Sequence, residues 1–259
     1  IDFDMSKGDA HTMLGFTVNP THAQRHGWPL LERGLFDLVT WTASRWGQQG
    51  EGAITPVMLR NYLVRWGDDS QLDLLPGLYF PHQADAREFD NRQMIYQMGR
   101  RIIEVARQMY AFVIVDVGQD FTRPLHRAAL EAANEVLVTV PPTWTAVIDS
   151  ANAMNPLRHR FGDLTKFKLV ITRFSPEFGL PEKEIIQEIG LPRLVTIPHD
   201  AVVAEMAINT HTPFVLTDDG PLGESVRELA STFLPYLAEK RQRGAGLLAG
   251  LRRAFVREA

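Results

Sequence analysis

The second half of the chain alternates apolar runs of strand length with amphipathic segments of helix length. The strand-like runs are EVLVTVPP, FKLVITRF and RLVTIP, and each follows a helix-like segment, namely RPLHRAALEAAN, TWTAVIDSANAMNPLRHRF and PEKEIIQEIG. Two more helix-like segments, AVVAEMAINT and GPLGESVRELASTFLPYLAEKRQ, come after the last strand. This alternation predicts an α/β fold with a doubly wound, mostly parallel sheet flanked by helices.

An earlier apolar run, AFVIVDVG at residues 111–118, predicts another strand. Because it is apolar at nearly every position, we expect a central parallel strand with both faces buried. The chain also opens with IDFD, which has the pattern of the last residues of a buried strand. Ligands bind beyond the carboxyl ends of parallel strands, so we expect Asp2, Asp4 and Asp116 to meet at one edge of the sheet. The turns TRFSP at 172–176 and IPHD at 197–200 are expected at the same edge.

The first half of the chain is predicted to be mainly helical, with a brief strand at LDLLPG. Thr55 and Pro56 are residue types favoured at an N-cap and at the first helical position. A long helix is predicted over FDNRQMIYQMGRRIIEVARQMY, because apolar residues recur on one face. That face includes Ile95, Met98, Ile102 and Val105.

Composition narrows the classes of function. The 259 residues are 45% hydrophobic, which is enough for a large core, and we expect one domain rather than two. A net charge of -4 gives no global preference for nucleic acid. The absence of cysteine excludes disulfides, zinc–thiolate sites, iron–sulfur clusters and thiol nucleophiles from this chain. No apolar run approaches the roughly 20 residues of a membrane-spanning helix, and we expect a cytoplasmic protein.

Asp116 is the first candidate for chemistry. In nucleotide-binding sheets, a carboxylate just beyond an apolar strand holds Mg²⁺ through water, since that ion prefers hard oxygen ligands. The alternative is an ordinary turn or N-cap residue, because four apolar residues followed by Asp are common in α/β proteins. The apolar run alone leaves both interpretations open.

Three early histidines, His11, His22 and His26, raise the alternative of a metal site. Only His22 and His26 have the spacing of one helical turn, and their segment has an irregular pattern. We therefore expect histidines of solvated loops rather than metal ligands.

Five blocks, taken in order, resemble a known family. The blocks are IDFDMSKGDAHTMLG, YAFVIVDVG, ANEVLVTVPPTWTAVIDSANAM, VITRFSP and IPHDAVVAEMAINTHTPFVL. Together they resemble the MinD/ParA family of deviant Walker A ATPases, a SIMIBI-class group, over almost the whole chain. The opening DxDxxxGD, followed by LG, is most similar to the TadZ/CpaE pilus-localisation branch. The resemblance implies a P-loop NTPase-like three-layer sandwich, with ATP and Mg²⁺ as cofactors.

The resemblance also implies roles around the phosphates. Asp4 matches the family carboxylate that orients or activates the attacking water, and Asp2 matches its partner beside the metal. Asp116 matches the Walker B aspartate, which holds Mg²⁺ through water, and Gly118 matches the turn that senses the γ-phosphate. The family commonly has a proline in this turn, and the sequence DVGQD departs from that pattern.

On the base side, Thr172 and Arg173 match the turn that lines the adenine pocket. Pro198, His199 and Asp200 match the IPxD segment on the other side of the base. A solvated turn is an equally open interpretation of Thr172 and Arg173.

One family element has no counterpart in the sequence. The family begins with a strand, a glycine-rich phosphate loop and a helix, and no GxxxxGK[ST] motif occurs here. We expect an N-terminally truncated piece, the alternative being a protein without such a loop. As written, the chain is expected to bind nucleotide poorly or not at all.

The leading functional hypothesis is an ATP-dependent switch. ATP and Mg²⁺ would join two subunits into a homodimer, and slow hydrolysis would release them, so that a partner is positioned or segregated. The alternative is a non-catalytic scaffold that acts through dimerisation and its tail. A DNA-segregation ATPase is a third hypothesis, which requires a basic patch that binds DNA in a salt-sensitive way.

The predicted domain organisation is an ATPase domain over 1–240 and a basic amphipathic helix over 241–259. The apolar face of this helix carries Leu247, Leu248, Leu251 and Phe255. The helix is expected to pack on its own domain or on a partner subunit, and the alternative is a peripheral position at the inner face of an anionic membrane.

Overall fold

The computed structural model describes residues 1–6, 8–67 and 71–234. The chain divides into two compact units, Ile1–Ala133 and Asn134–Ala259. The predicted tail helix lies outside the described residues. Among the residues that are described, no helix is both long and apolar enough to cross a bilayer.

The N-terminal unit is mainly helical. Its α-helices are α1 (Ala10–Met13), α2 (Pro20–His26), α3 (Leu35–Ala43), α4 (Trp46–Gln49), α5 (Pro56–Arg60), α6 (Arg92–Met109) and α7 (Pro124–Ala132). Turns of 3₁₀ helix occur at Gly50–Ala53, Pro81–Asp85 and Arg87–Phe89. The short strands β1 (Val64–Arg65) and β2 (Asp73–Leu74) pair in an antiparallel ladder, which confirms the brief strand predicted at LDLLPG.

Helix α6 forms much of the core of this unit. As predicted, its sequence is amphipathic, and four side chains of its apolar face are completely buried: Ile95, Met98, Ile102 and Val105. Helix α7 packs closely on it, since an added Cβ at Gly99 would lie 2.9 Å from Leu125 and 3.0 Å from Ala128. Each buried side chain of this size contributes about 1.5–3 kcal/mol relative to exposure, so the α6 face holds the unit together.

Residues 111–118 differ from the prediction. Among the described residues, their ladder pairing is limited to an isolated parallel bridge between Asp116 and Asp2. The side chains of Phe112 and Ile114 are 58% and 81% exposed, so the prediction of a strand buried on both faces is wrong for this segment. Side chains alternate between the two faces of an extended segment, and Val113, Val115 and Val117 pack against the core of this unit, so the covered face is the one opposite to Phe112 and Ile114.

The C-terminal unit, described to residue 234, contains a parallel sheet in the order β3 (Val136–Val140), β4 (Phe167–Phe174), β5 (Arg193–Pro198). Its α-helices are α8 (Trp144–Phe161), α9 (Glu182–Ile189), α10 (Ala201–Thr210) and α11 (Pro221–Phe233). The register places Val136 opposite Phe167 and Val140 opposite Ile171. The predicted alternation of strands and helices is confirmed in this unit.

Candidate functional site

The strand ends that carry Asp2 and Asp116 are hydrogen-bonded side by side. The Phe3 N–H donates to Asp116 O at 2.8 Å, and the Asp116 N–H donates to Ile1 O at 2.8 Å. Side chains alternate along a strand, and Phe3 is completely buried in the core. Asp2 and Asp4 therefore leave the backbone on the face opposite to Phe3, and the parallel bridge brings them to the edge that carries Asp116, as the sequence pattern predicts.

Asp2 is a buried carboxylate with backbone partners. Its side chain is 1% exposed. Oδ1 accepts a hydrogen bond from the Asp4 N–H at 3.1 Å, and Oδ2 accepts one from the Ala10 N–H at 3.3 Å. Burial raises the pKa of Asp2 to about 6, although the two N–H donors favour the ionised form. An added Cβ at Gly77 would lie 2.7 Å from the carboxylate carbon, so this close approach requires glycine.

Asp4 lies against the turn that follows Asp116. Its Oδ1 accepts a hydrogen bond from the Ser6 N–H at 2.7 Å. An added Cβ at Gly118 would lie 2.6 Å from the same oxygen. The carboxylate and the Gly118 backbone thus share a space that any larger residue at position 118 would fill.

Asp116 is exposed to solvent, but the negative charges of nearby carboxylates repel its ionised form. Partial desolvation raises its pKa, and the carboxylates of Asp4 and Asp9 raise it further. A bound cation would relieve this repulsion, and carboxylate oxygens suit Mg²⁺. Among the described residues, no group of three His, Cys, Asp or Glu side chains could hold an ion directly. The carboxylate oxygens of Asp4 and Asp116 fit Mg²⁺ by their chemistry, since that ion prefers hard oxygen ligands and usually keeps several of its waters.

The remaining predicted site residues lie in the C-terminal unit, at the carboxyl ends of β4 and β5. Pro198 pairs with Phe174 across the two strands, and the His199 N–H donates to Phe174 O at 2.8 Å. Thr172 and Arg173 lie in a register irregularity of β4. Arg173 has a φ of 52°, a left-handed conformation that costs a non-glycine residue about 1–2 kcal/mol.

Asp200 caps helix α10. Its Oδ1 accepts a hydrogen bond from the Val203 N–H at 3.0 Å, which satisfies one of the unpaired donors of the first helical turn. An N-cap carboxylate before an apolar helix is a pattern that the sequence alone could have indicated.

The early histidines follow the prediction only in part. His22 and His26 are exposed, as expected for solvated residues, although they lie on α2 rather than in a loop. His11 is 6% exposed and its ring packs edge-on against Tyr79, with centroids 5.2 Å apart. Its prediction as a solvated residue is therefore wrong, and burial lowers its pKa.

A scan against protein-family models found no match, and a search of curated protein sequences found none. Solved structures do match. A ParA family ATPase from Chlorobium tepidum superposes with a TM-score of 0.65 and 15% identity, over 87% of this chain and 81% of that chain. The septum site-determining protein MinD of Pyrococcus horikoshii, complexed with Mg-ADP, superposes with a TM-score of 0.62 and 15% identity, over 90% and 81%. The MinC:MinD complex of Aquifex aeolicus superposes with a TM-score of 0.63 and 16% identity, over 90% of this chain and 81% of that chain.

The chain has the ParA/MinD fold. This confirms the predicted α/β class and, at the level of fold, the family resemblance that the five sequence blocks carry. At such identities the likeness shows the ParA/MinD fold alone, and the TadZ/CpaE branch stays a prediction.

Two residues at this site escaped the sequence analysis. Gly77 is the last residue of the segment LDLLPG, for which only a brief strand was predicted, and its backbone makes room for Asp2. His126 lies in α7 and is completely buried, with one ring nitrogen 2.9 Å from Phe3 O. No local pattern indicates a contact between residues so far apart in the chain.

Proposed function

We propose that this protein, which has the ParA/MinD fold, is an ATPase that positions or segregates a cellular partner. The observation that supports this most directly is the approach of the Asp4 carboxylate to Gly118. A carboxylate at one strand end lies against the turn beyond the neighbouring strand end, which is where parallel nucleotide-binding sheets bind phosphate and water.

Asp4 is proposed to orient the attacking water. Phosphoryl transfer asks the protein mainly to position the nucleophile and to neutralise charge. The Ser6 N–H and the Gly118 backbone constrain the Asp4 carboxylate before any substrate binds. Asp2 is proposed to act beside the metal largely through Asp4, because its Oδ1 already accepts the Asp4 N–H.

Asp116 is proposed to hold Mg²⁺ through water. The carboxylates of Asp4 and Asp9 raise its pKa, and this repulsion falls when a divalent cation is near. When bound with ATP, Mg²⁺ would neutralise charge on the phosphate oxygens. Gly118 is proposed to give the following turn the freedom to respond to the γ-phosphate.

The strand ends of the C-terminal unit are proposed to contact the adenine. Pro198 and His199 offer an apolar ring and an imidazole beside the end of β4. Thr172 and Arg173 add a strained turn at the same strand end, and strain of this kind clusters at ligand sites. Asp200 would contribute mainly by fixing the start of α10.

Partners and location are also proposals. ATP is proposed to join two copies into a homodimer, and a protein partner is expected, as the MinD of Aquifex aeolicus was solved with MinC. The tail residues Leu247, Leu248, Leu251 and Phe255 are proposed to reach the inner face of the membrane from a cytoplasmic protein. A net charge of -4 makes DNA the less favoured partner.

The test is ATP hydrolysis by the full-length gene product, because no GxxxxGK[ST] motif occurs in these 259 residues. We expect slow, Mg²⁺-dependent turnover, and we expect Asp4→Ala to reduce it by about 100-fold or more while ATP binding persists. Asp85→Ala is the matched control, since Asp85 is exposed on the same unit. Equal turnover in Asp4→Ala and wild type would remove Asp4 from this role.

The competing proposal is a non-catalytic scaffold with the same fold. It is favoured by one observation, that no GxxxxGK[ST] motif occurs in these 259 residues. It predicts no ATP turnover by the full-length product under any metal condition, with dimerisation that is independent of nucleotide. Analytical ultracentrifugation with and without Mg-ATP distinguishes the two.

A further inference from the structure

His126 makes two hydrogen-bond contacts that a neutral histidine cannot satisfy together. The ring is completely buried, with Nδ1 2.6 Å from Asp120 O and Nε2 2.9 Å from Phe3 O. Both partners are carbonyl oxygens, which only accept. A neutral imidazole donates from one nitrogen and presents a lone pair at the other, so both contacts are attractive only when both nitrogens carry a proton.

The contact with Phe3 lies where the strand pairing stops. In a parallel ladder, the bonds from the Asp116 N–H to Ile1 O and from the Phe3 N–H to Asp116 O would be followed by one from the Gly118 N–H to Phe3 O. Within the described residues, Phe3 O accepts from His126 instead. The ring therefore ends the ladder after Asp116 and leaves the Gly118 backbone to lie beside Asp4.

The contact with Asp120 fixes the other side of the same turn. Asp120 O also accepts the Arg123 N–H at 3.2 Å, so the end of the turn is tied to the start of α7. The Asp120 carboxylate accepts hydrogen bonds from Thr122 and Arg123. One ring thus joins the strand between Asp2 and Asp4 to the far end of the 116–120 turn.

We infer that His126 is a positioning residue: its ring, donating from both nitrogens, ends the pairing of the two strand ends and holds the 116–120 turn against Asp4. We call this pair of hydrogen bonds, from the His126 ring to Phe3 O and to Asp120 O, the His126 brace, and it is a property of the fold alone. Its effect on ATP turnover rests on the proposed function, because it acts through Asp4 and Gly118 and touches neither substrate nor metal.

The first measurement is the protonation of the ring in the wild-type protein, by ¹⁵N-resolved NMR of the imidazole. We expect both nitrogens of His126 to carry slowly exchanging protons in the folded protein, because each faces a carbonyl oxygen. A ring nitrogen without a proton would overturn the double-donor brace, whatever the enzyme does.

Two variants separate the contacts. The side-chain amide nitrogen of His126→Gln falls near the position of Nε2, and that of His126→Asn falls near Nδ1, so each keeps one donor and loses the other. In both, we expect the amide of Ser6, which donates to Asp4 Oδ1, to exchange about tenfold faster. His82→Gln, at an exposed histidine of the same unit, should change nothing. Unchanged exchange at Ser6 in both variants would overturn the positioning role.

In the full-length protein, we expect kcat to fall about 10- to 100-fold in both variants while the Kd for ATP stays within about twofold, because a displaced water costs rate rather than binding. A rise in Kd with unchanged kcat would contradict the inference. If the wild type shows no turnover, the proposed function fails, and the ring protonation and the Ser6 exchange still decide the brace.

Discussion

Replacing Asp2 by Asn should stabilise the N-terminal unit at neutral pH and leave its stability almost unchanged in acid. Burial of the carboxylate raises its pKa from 3.8 to about 6. A raised pKa means that the folded state binds the proton more tightly than the unfolded state. The contribution of Asp2 to stability is therefore greatest below about pH 4, falls as the pH rises to about 6, and stays low above that.

The size of the effect follows from the shift. A rise in the pKa of Asp2 from 3.8 to about 6 means that ionising this carboxyl costs about 3 kcal/mol more in the folded state than in the unfolded state. The Asn oxygen can still accept the hydrogen bond from the Asp4 N–H, but its NH₂ group would face the Ala10 N–H. That N–H then loses its acceptor, which costs about 1 kcal/mol. The variant should then be more stable than wild type by about 2 kcal/mol near pH 8 and within about 1 kcal/mol of it near pH 4.

Urea unfolding followed by tryptophan fluorescence is a suitable assay. Four of the five tryptophans, Trp28, Trp41, Trp46 and Trp66, lie in the N-terminal unit with Asp2. Asp85→Asn, at an exposed carboxylate, is the control and should change the free energy of unfolding by less than about 0.5 kcal/mol. A difference between Asp2→Asn and wild type that does not vary with pH would refute the assignment of a buried, destabilised carboxylate.

Three more predictions concern Gly118, Arg173 and Tyr110. Gly118→Ala should displace the Asp4 carboxylate and lower ATP turnover of the full-length protein about tenfold or more, measured as phosphate release. Arg173→Gly should raise the free energy of urea unfolding of the C-terminal unit by about 1 kcal/mol, because the positive φ no longer strains a side chain. Tyr110→Phe should lower the free energy of unfolding of the N-terminal unit by about 1.5 kcal/mol near pH 7, because the Asp73 carboxylate loses its donor at 2.6 Å. Hydrogen bonds, first from Arg65, hold the pKa of Asp73 low, so this cost should shrink as the pH falls below about 4.

The first two of these predictions each have a matched control variant, and the third is checked by its pH dependence. Gly47→Ala places a methyl group where nothing lies within 4 Å, and a loss of turnover equal to that of Gly118→Ala would show a general effect of alanine. Arg173→Lys keeps both charge and strain, so it should leave stability unchanged. If Tyr110→Phe cost as much in acid as at neutral pH, the contact with ionised Asp73 would not be its cause.

Local patterns predicted the C-terminal sheet well. The runs that became β3, β4 and β5 are separated by segments with the apolar periodicity of helices, and this alternation favours a parallel order. The apolar run at 111–118 shows the limit of the same reasoning. Its residues have the composition of a buried strand, but burial also depends on what covers each side, and Ile114 is 81% exposed.

The sequence predicted the charged residues of the candidate site but not the residues that hold them in place. The spacing of Asp2 and Asp4 and the position of Asp116 at the end of an apolar run indicated carboxylates that share one edge. Gly77 and His126 support them from segments far away in sequence, and contacts of that range leave no local periodicity. His11 was misjudged for the same reason, because its burial depends on Tyr79.

The central claim is that Asp4 and Asp116 act on one phosphate and metal site. The most direct measurement is a crystal structure of the full-length protein with Mg²⁺ and a non-hydrolysable ATP analogue. The account predicts a water within about 3 Å of both the Asp4 carboxylate and the γ-phosphate, and the Mg²⁺ water shell against Asp116. An analogue bound with its γ-phosphate away from both carboxylates would contradict it.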